Sequence, residues 1–155
     1  MYYLFPMFNL KKHIFLFLTL TLLFSFCKKK KTVQDNIAYQ PVNITIYPND
    51  PIYFKIQVVG GWVYINGGVN GIIVYRQSQT GASDFIAIER TSTYLPNEPS
   101  ALAKVQSDNF TLKDTVSGSK WQLNNGSVLS GPATLPLRQY QAIYDNGTGS
   151  LTIKN

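Results

Sequence analysis

The chain has 155 residues, 45% hydrophobic and 14% aromatic, which is enough for one packed domain and too few for two comfortable ones. Its net charge of +6 sits at the amino terminus: Lys11, Lys12 and Lys28 to Lys31 supply six of the fourteen basic residues, and from Thr32 onward eight basic residues meet eight acidic ones. A neutral folded region offers no phosphate-tracking face, so nucleic acid is not expected as a partner. After Cys27, the single cysteine, the chain has no cysteine, and its one histidine is His13. Cysteine or histidine zinc sites, thiol nucleophiles and histidine-dependent triads are therefore excluded from the rest of the chain.

Residues Ile14 to Phe26 form an apolar run of thirteen behind Lys11-Lys12. A bilayer span needs roughly 20 apolar residues and the core of a signal peptide about 7 to 15, so residues 1–26 read as a signal peptide. Met7 reads as its start, since MFNLKKH makes a conventional basic leader. Cys27 follows the run directly, and its position resembles the lipobox of bacterial lipoproteins, although Phe26 is bulkier than the small residue usual before the cut. That resemblance implies acylation of Cys27, with the membrane as a partner through acyl chains that bury about 0.8 kcal/mol per CH₂. Residues 27–40 then read as lipidated cysteine and polar tether. Lys28 to Lys31 serve as a solvated spacer, each capable of about 1 kcal/mol of attraction to anionic lipid.

From Pro41 to the carboxyl end the pattern is short strands and turns. Ile44 and Ile46, then Ile52, Phe54, Ile56 and Val58, alternate with a period of two and predict strands on either side of a Pro48-Asn49-Asp50-Pro51 loop. Trp62 to Ile65 resumes after Gly60-Gly61. Beyond the turn pairs Asn66-Gly67 and Asn70-Gly71, the continuous run Ile72 to Arg76 predicts a strand covered on both faces. Gln77 to Ser83 is a polar loop, and Asp84 to Arg90 alternates again, with Phe85, Ala87 and Glu89 set against Ile86 and Ile88. Leu102 to Gln106 and Phe110 to Lys113 form a hairpin around Ser107-Asp108-Asn109, and Tyr140 to Tyr144 with Leu151 to Ile153 another around Asp145-Asn146-Gly147. About ten short antiparallel strands predict an all-β fold, a small sandwich or barrel.

The stretch Asp114 to Leu137, DTVSGSKWQLNNGSVLSGPATLPL, carries more punctuation than a plain meander requires. Gly118, Gly126, Gly131-Pro132 and Pro136 place permissive and fixed torsions at close intervals, predicting two ordered loop extensions around the Asn124-Asn125-Gly126 turn.

These loops resemble those of the Rieske iron-sulfur domain, particularly the Rieske-like domains of secreted bacterial lipoproteins, over roughly Tyr53 to the carboxyl end. The family carries a first loop with C-x-H and a second with C-x-x-H-G-S-x-[FW], then a Gly-x-Val turn and a proline loop G-P-A-x-x-P-L. Here Ser117-Gly118-Ser119-Lys120-Trp121, Gly126-Ser127-Val128 and Gly131-Pro132-Ala133-Thr134-Leu135-Pro136-Leu137 match the scaffold, and Arg90-Thr91-Ser92-Thr93-Tyr94-Leu95-Pro96 is similar to R-T-C-T-H-L-x. The resemblance implies a [2Fe–2S] centre, but it places Ser92 and Asp114 at the cysteine positions and Tyr94 and Ser117 at the histidine positions. A Rieske centre takes two thiolates and two imidazoles, so the former cluster-ligand positions cannot ligate one, and no cofactor, metal or catalytic residue is expected. Asp114 and Tyr94 with two hydroxyls make a poor cation site, because they contain one carboxylate.

The reading that follows is a lipid-anchored, cluster-free Rieske-like protein of the bacterial cell envelope, on the periplasmic side or cell surface. It is not an enzyme; its role is structural or one of interaction with an envelope protein. The alternative is Rieske-type electron transfer, and a third class, hydrolysis through Asp114 or Glu89, requires carboxylates that converge in a pocket. Glu89 and Glu98, which flank the first loop, are expected to be solvated rather than a glycosidase pair. Tyr39, Tyr47 and Tyr140 are expected to be sheet residues rather than a glycan-binding surface. A structural metal contributes on the order of 10 kcal/mol to a small fold and a buried aromatic about 1.5 to 3. Burial of Tyr94, Leu95 and Trp121 is therefore expected to offset part of what a lost cluster contributed.

Overall fold

The computed structural model describes residues 36–155. The signal peptide, Cys27 and Lys28 to Lys31 lie outside the described residues. Among the described residues no helix is long and apolar enough to cross a membrane.

Ten strands form two antiparallel sheets: β1 Asn43–Ile46, β2 Trp62–Ile65, β3 Ile72–Arg76, β4 Phe85–Glu89, β5 Ala103–Val105, β6 Thr111–Asp114, β7 Lys120–Gln122, β8 Val128–Ser130, β9 Gln139–Asp145 and β10 Ser150–Lys154. The larger sheet has the order β1-β10-β9-β4-β3-β2 and the smaller one β5-β6-β7-β8. The small sheet is therefore a single excursion of the chain. It leaves the large sheet after β4, and it returns at β9, where Ala87 pairs with Tyr140 and Ile88 with Gln139.

Strand β3 shows why a continuous apolar run forms where it does. Ile72 and Val74 face a core with Ile46, Ile56, Phe85, Ala87, Leu151 and Ile153. Ile73 faces the opposite way into a second core with Ile88, Leu112, Trp121, Leu123 and Leu137, most of them from the excursion that carries the small sheet. A strand walled on both faces has no position where a polar residue can reach water, so alternation is lost. Each large side chain fully buried in this way contributes about 1.5 to 3 kcal/mol.

One expected strand is absent. Pro51–Gln57 is a 3-10 helix with Pro in its first turn, and Tyr53 breaks the helical torsions at φ −108°, ψ 20°. The hydrogen bonds Asp50 N–H to Tyr47 O and Tyr53 N–H to Asp50 O wind the Pro-Asn-Asp-Pro turn directly into this segment, so the turn chemistry overrides the alternation. Of the four alternating residues only Ile56 is buried; Ile52 and Phe54 are 74% and 63% exposed.

The packed fold also begins upstream of Pro41. Ile37 is buried, and the Arg138 guanidinium donates to the Ile37 and Ala38 carbonyls at 2.5 and 2.8 Å. The Asn36 side chain donates to the Thr93 carbonyl. Tyr39 and Tyr47 are exposed and flank strands without belonging to one, whereas Tyr140 lies buried in β9.

Candidate functional site

Three loops meet at one end of the small sheet: Ser92 to Ser100 after β4, Thr115 to Ser119 between β6 and β7, and the proline loop Gly131 to Leu137 after β8. They are joined through the proline loop. The Thr93 hydroxyl and the Trp121 indole N–H both donate to the Leu135 carbonyl, at 2.8 and 3.0 Å. The Ala133 N–H donates to the Ser119 hydroxyl at 3.0 Å. Trp121 is fully buried, so the pairing of its indole N–H is what makes that burial favourable. Gly126 closes the Asn-Asn-Gly turn at φ +66°, and a Cβ there would stand 3.3 Å from both the Cβ and the carbonyl oxygen of Leu137. Hence the residue must be glycine if the proline loop is to fold back on the turn.

Within the second loop, buried Asp114 accepts from the Val116 N–H at 2.8 Å and the Ser117 hydroxyl at 2.6 Å. Ser117 also contacts the Ser119 hydroxyl at 2.9 Å. In the first loop Ser92 is buried, with its hydroxyl 3.4 Å from the Tyr94 N–H, and the Tyr94 side chain is 48% exposed. Ser92, Tyr94, Asp114 and Ser117, the positions that the sequence resemblance assigns to cluster ligands, thus lie as two local pairs. Among the described residues no hydrogen bond joins the Ser92–Tyr94 pair to the Asp114–Ser117 pair. As a donor set, two hydroxyls, a phenol and a carboxylate already bonded at both oxygens do not fit a [2Fe–2S] centre of the Rieske type, which takes two thiolates and two imidazoles. Among the described residues no three of histidine, cysteine, aspartate and glutamate gather as a metal site. Of the three side chains expected to offset a lost cluster, Trp121 is buried, Leu95 half-buried and Tyr94 largely in water.

Glu89 departs furthest from the sequence-based expectation. It is fully buried instead of solvated, and its carboxylate accepts from the Val69 and Asn70 N–H groups at 2.8 and 3.1 Å, and from the Thr91 N–H and hydroxyl at 3.0 and 2.8 Å. The Tyr140 hydroxyl donates to it at 2.7 Å. Burial alone would push the Glu89 carboxyl up, but the hydroxyls of Tyr140 and Thr91 and the backbone donors outweigh it and hold the pKa below the ordinary glutamate value. Burial, followed by the carboxylate, pushes the Tyr140 phenol well above its ordinary value. The alternation of β4 carried the signal, since Glu89 shares a face with buried Phe85 and Ala87. Glu98 is exposed and bonded to Ser100. Three cavities of about 490, 400 and 270 Å³ are lined by none of Glu89, Glu98 or Asp114, and the carboxylates of Glu89 and Asp114 are each taken up by protein donors.

Arg76 follows the same logic on β3. It shares the face of Ile72 and Val74, donates to the Ile56, Gln57 and Ser78 carbonyls, and pairs with buried Asp84 at 3.8 Å.

No protein-family model and no curated protein matches the chain. Among solved structures it is similar to the ferredoxin of carbazole 1,9a-dioxygenase from Nocardioides aromaticivorans IC177, at 14% identity and a TM-score of 0.45, over 74% of this chain and 97% of that one.

Proposed function

We propose that this chain is a lipid-anchored, cluster-free Rieske-like envelope protein with a structural or interaction role, held on the periplasmic side or cell surface by acylated Cys27. The observation that carries the reading is that Ser92, Tyr94, Asp114 and Ser117, which the sequence resemblance sets at the ligand positions, lie in loops joined by hydrogen bonds to Leu135 and Ser119. The absence of cysteine and histidine after Cys27 supports it, as does the burial of Glu89, which removes that carboxylate from substrate chemistry. Ile52, Phe54, Val58 and Val59 are exposed together with a half-buried Trp62 nearby in sequence, and apolar surface of this kind suits a protein partner. The alternative, electron transfer of the Rieske type, needs ligands from outside residues 28–155.

The test is intact mass, iron analysis and electron paramagnetic resonance on protein purified from its native membrane. The expected result is a colourless protein without stoichiometric iron, its mass that of a chain beginning at Cys27 plus acyl groups. A rhombic signal on reduction would replace this reading with electron transfer, and a mass retaining residues 1–26 would remove the lipid anchor.

A further inference from the structure

Three arginines sit in or against the fold, and only one has an uncommitted guanidinium. Arg76 is held by three carbonyls and Asp84. Arg138 grips Ile37 and Ala38. The Arg90 side chain has no hydrogen-bonded protein partner and no carboxylate within ion-pair distance among the described residues; its Nε is buried without a partner, as is that of Arg138, but unlike Arg138 its Nη atoms are unpaired as well. The Nη donors are not among the buried unsatisfied atoms and so keep access to the surface, where a ligand or water can complete them.

The surroundings hold Arg90 in place. Its guanidinium stacks on the Tyr64 ring, 4.1 Å from the centroid. From another direction it lies against Gly71, where a Cβ would stand 3.3 Å from Arg90 Cδ and 3.4 Å from Nη1. Tyr64 is itself tied down, because its hydroxyl accepts from the Val105 N–H at 3.0 Å. The fixed guanidinium lines a cavity of about 270 Å³ together with Tyr64, Asn66, Gly67, Gly68 and Asn70. Among the described residues Glu89 makes no ion pair with it, and its carboxylate accepts from Val69, Asn70, Thr91 and Tyr140 instead.

We propose that Arg90, stacked on Tyr64 above the 66–71 glycine loop, is the anchor of a binding site for a small oxyanion of the carboxylate or phosphate class. A planar fork of N–H donors matches two oxygens of such a group at once, which neither a cation nor an apolar ligand can supply. The cavity is large enough for the oxyanion and its nearest substituent, so the group is either free in solution or carried on a larger molecule such as a lipid headgroup. The site stands on Arg90 and its pocket alone and does not depend on the fate of the cluster or the anchor.

The test follows the Arg90 Nε–H and the Gly67 and Gly68 amides by nitrogen-15 nuclear magnetic resonance. The full chain in detergent is titrated with inorganic phosphate and, separately, with acetate. The expected result is a saturable, millimolar shift at these groups, at least tenfold weaker in Arg90→Gln and also weakened in Arg90→Lys, which keeps the charge and loses the fork. Unchanged Ile73 and Leu112 amides in both variants report an intact fold. Phosphatidylglycerol vesicles in place of the soluble ions distinguish the sources: a shift with vesicles that phosphate displaces assigns the headgroup, and a shift with soluble ions only assigns a free oxyanion. Absence of any saturable shift in the unsubstituted chain with all three probes, or a titration that Arg90→Gln leaves unchanged, would overturn the site.

Discussion

Glu89 and Asp114 are both fully buried carboxylates, each at the base of one loop, yet they hold different things together. Asp114 accepts from residues two and three positions away. Glu89 reaches donors 20 residues before it and 51 after it. It stands where the chain leaves the large sheet, and Tyr140 stands just after the return, with Arg138 O accepting from the Glu89 N–H at 2.9 Å between them. Asp114 shapes a turn, while Glu89 closes the neck of the whole excursion. Residue burial is the same in both cases, so the sequence span of the partners, not depth, separates a local from a tertiary role.

The largest expected effect that sharpens this contrast comes from Glu89→Ala. It leaves the Val69, Asn70 and Thr91 N–H groups and the Tyr140 hydroxyl without their acceptor, at a cost of about 3–5 kcal/mol for several unpaired buried donors together, read as a lowered midpoint in urea unfolding. A loss below about 1 kcal/mol would mean that the neck is held by β4–β9 pairing instead. Acid comes next. Since the folded Glu89 pKa lies below the ordinary value of 4.5, its contribution is full above that pH and falls away as pH drops through the lower folded value. Asp84, also held below its ordinary value against its own burial by Gly81, Ser78, Thr80 and Arg76, adds in the same direction. Stability measured between pH 6 and pH 2 should therefore fall at the acid end, with a shallower slope in Glu89→Gln; parallel curves would assign the acid limb elsewhere. The smallest global effect belongs to Asp114→Ala, about 1–2 kcal/mol. Its signature is faster amide exchange at Val116 and Gly118 without change in the large sheet. In the unsubstituted chain the tips near Tyr94 and Val116 should already exchange faster than the sheet amides, because both side chains are about half exposed.

Much of the fold was legible because alternation and turn chemistry agreed. The hairpins around Ser107 to Asn109 and Asp145 to Gly147 form as expected, as do the two-faced burial of Ile72 to Arg76 and the loops flanking Asn124 to Gly126. Ile52 to Val58 misled because alternation reports a face only if a neighbouring strand exists to use it, and Pro51 had already committed the chain to a tight helical turn. At the site the local hydrogen bonds of Asp114 with Val116 and Ser117 lie within four residues of sequence, whereas the Glu89 network and the Arg90 pocket could not be read from any one stretch. The partners of Glu89 lie up to 51 residues from it in sequence, and no local pattern states which distant donors a buried charge will meet. Even so, β4 offered a hint: an acid on the same face as Phe85 and Ala87 must either find donors or lose its charge.

The Leu135 carbonyl gives the loop joint a form of redundancy. A carbonyl oxygen has two lone pairs, and here Thr93 and Trp121 occupy one each. Loss of the Thr93 hydroxyl still leaves the oxygen satisfied, and no change of side chain at position 135 removes the acceptor, since it belongs to the peptide. Sequence drift can therefore erode this joint one donor at a time without an abrupt failure, a tolerance that a metal-ligand set, broken by the loss of one member, does not have.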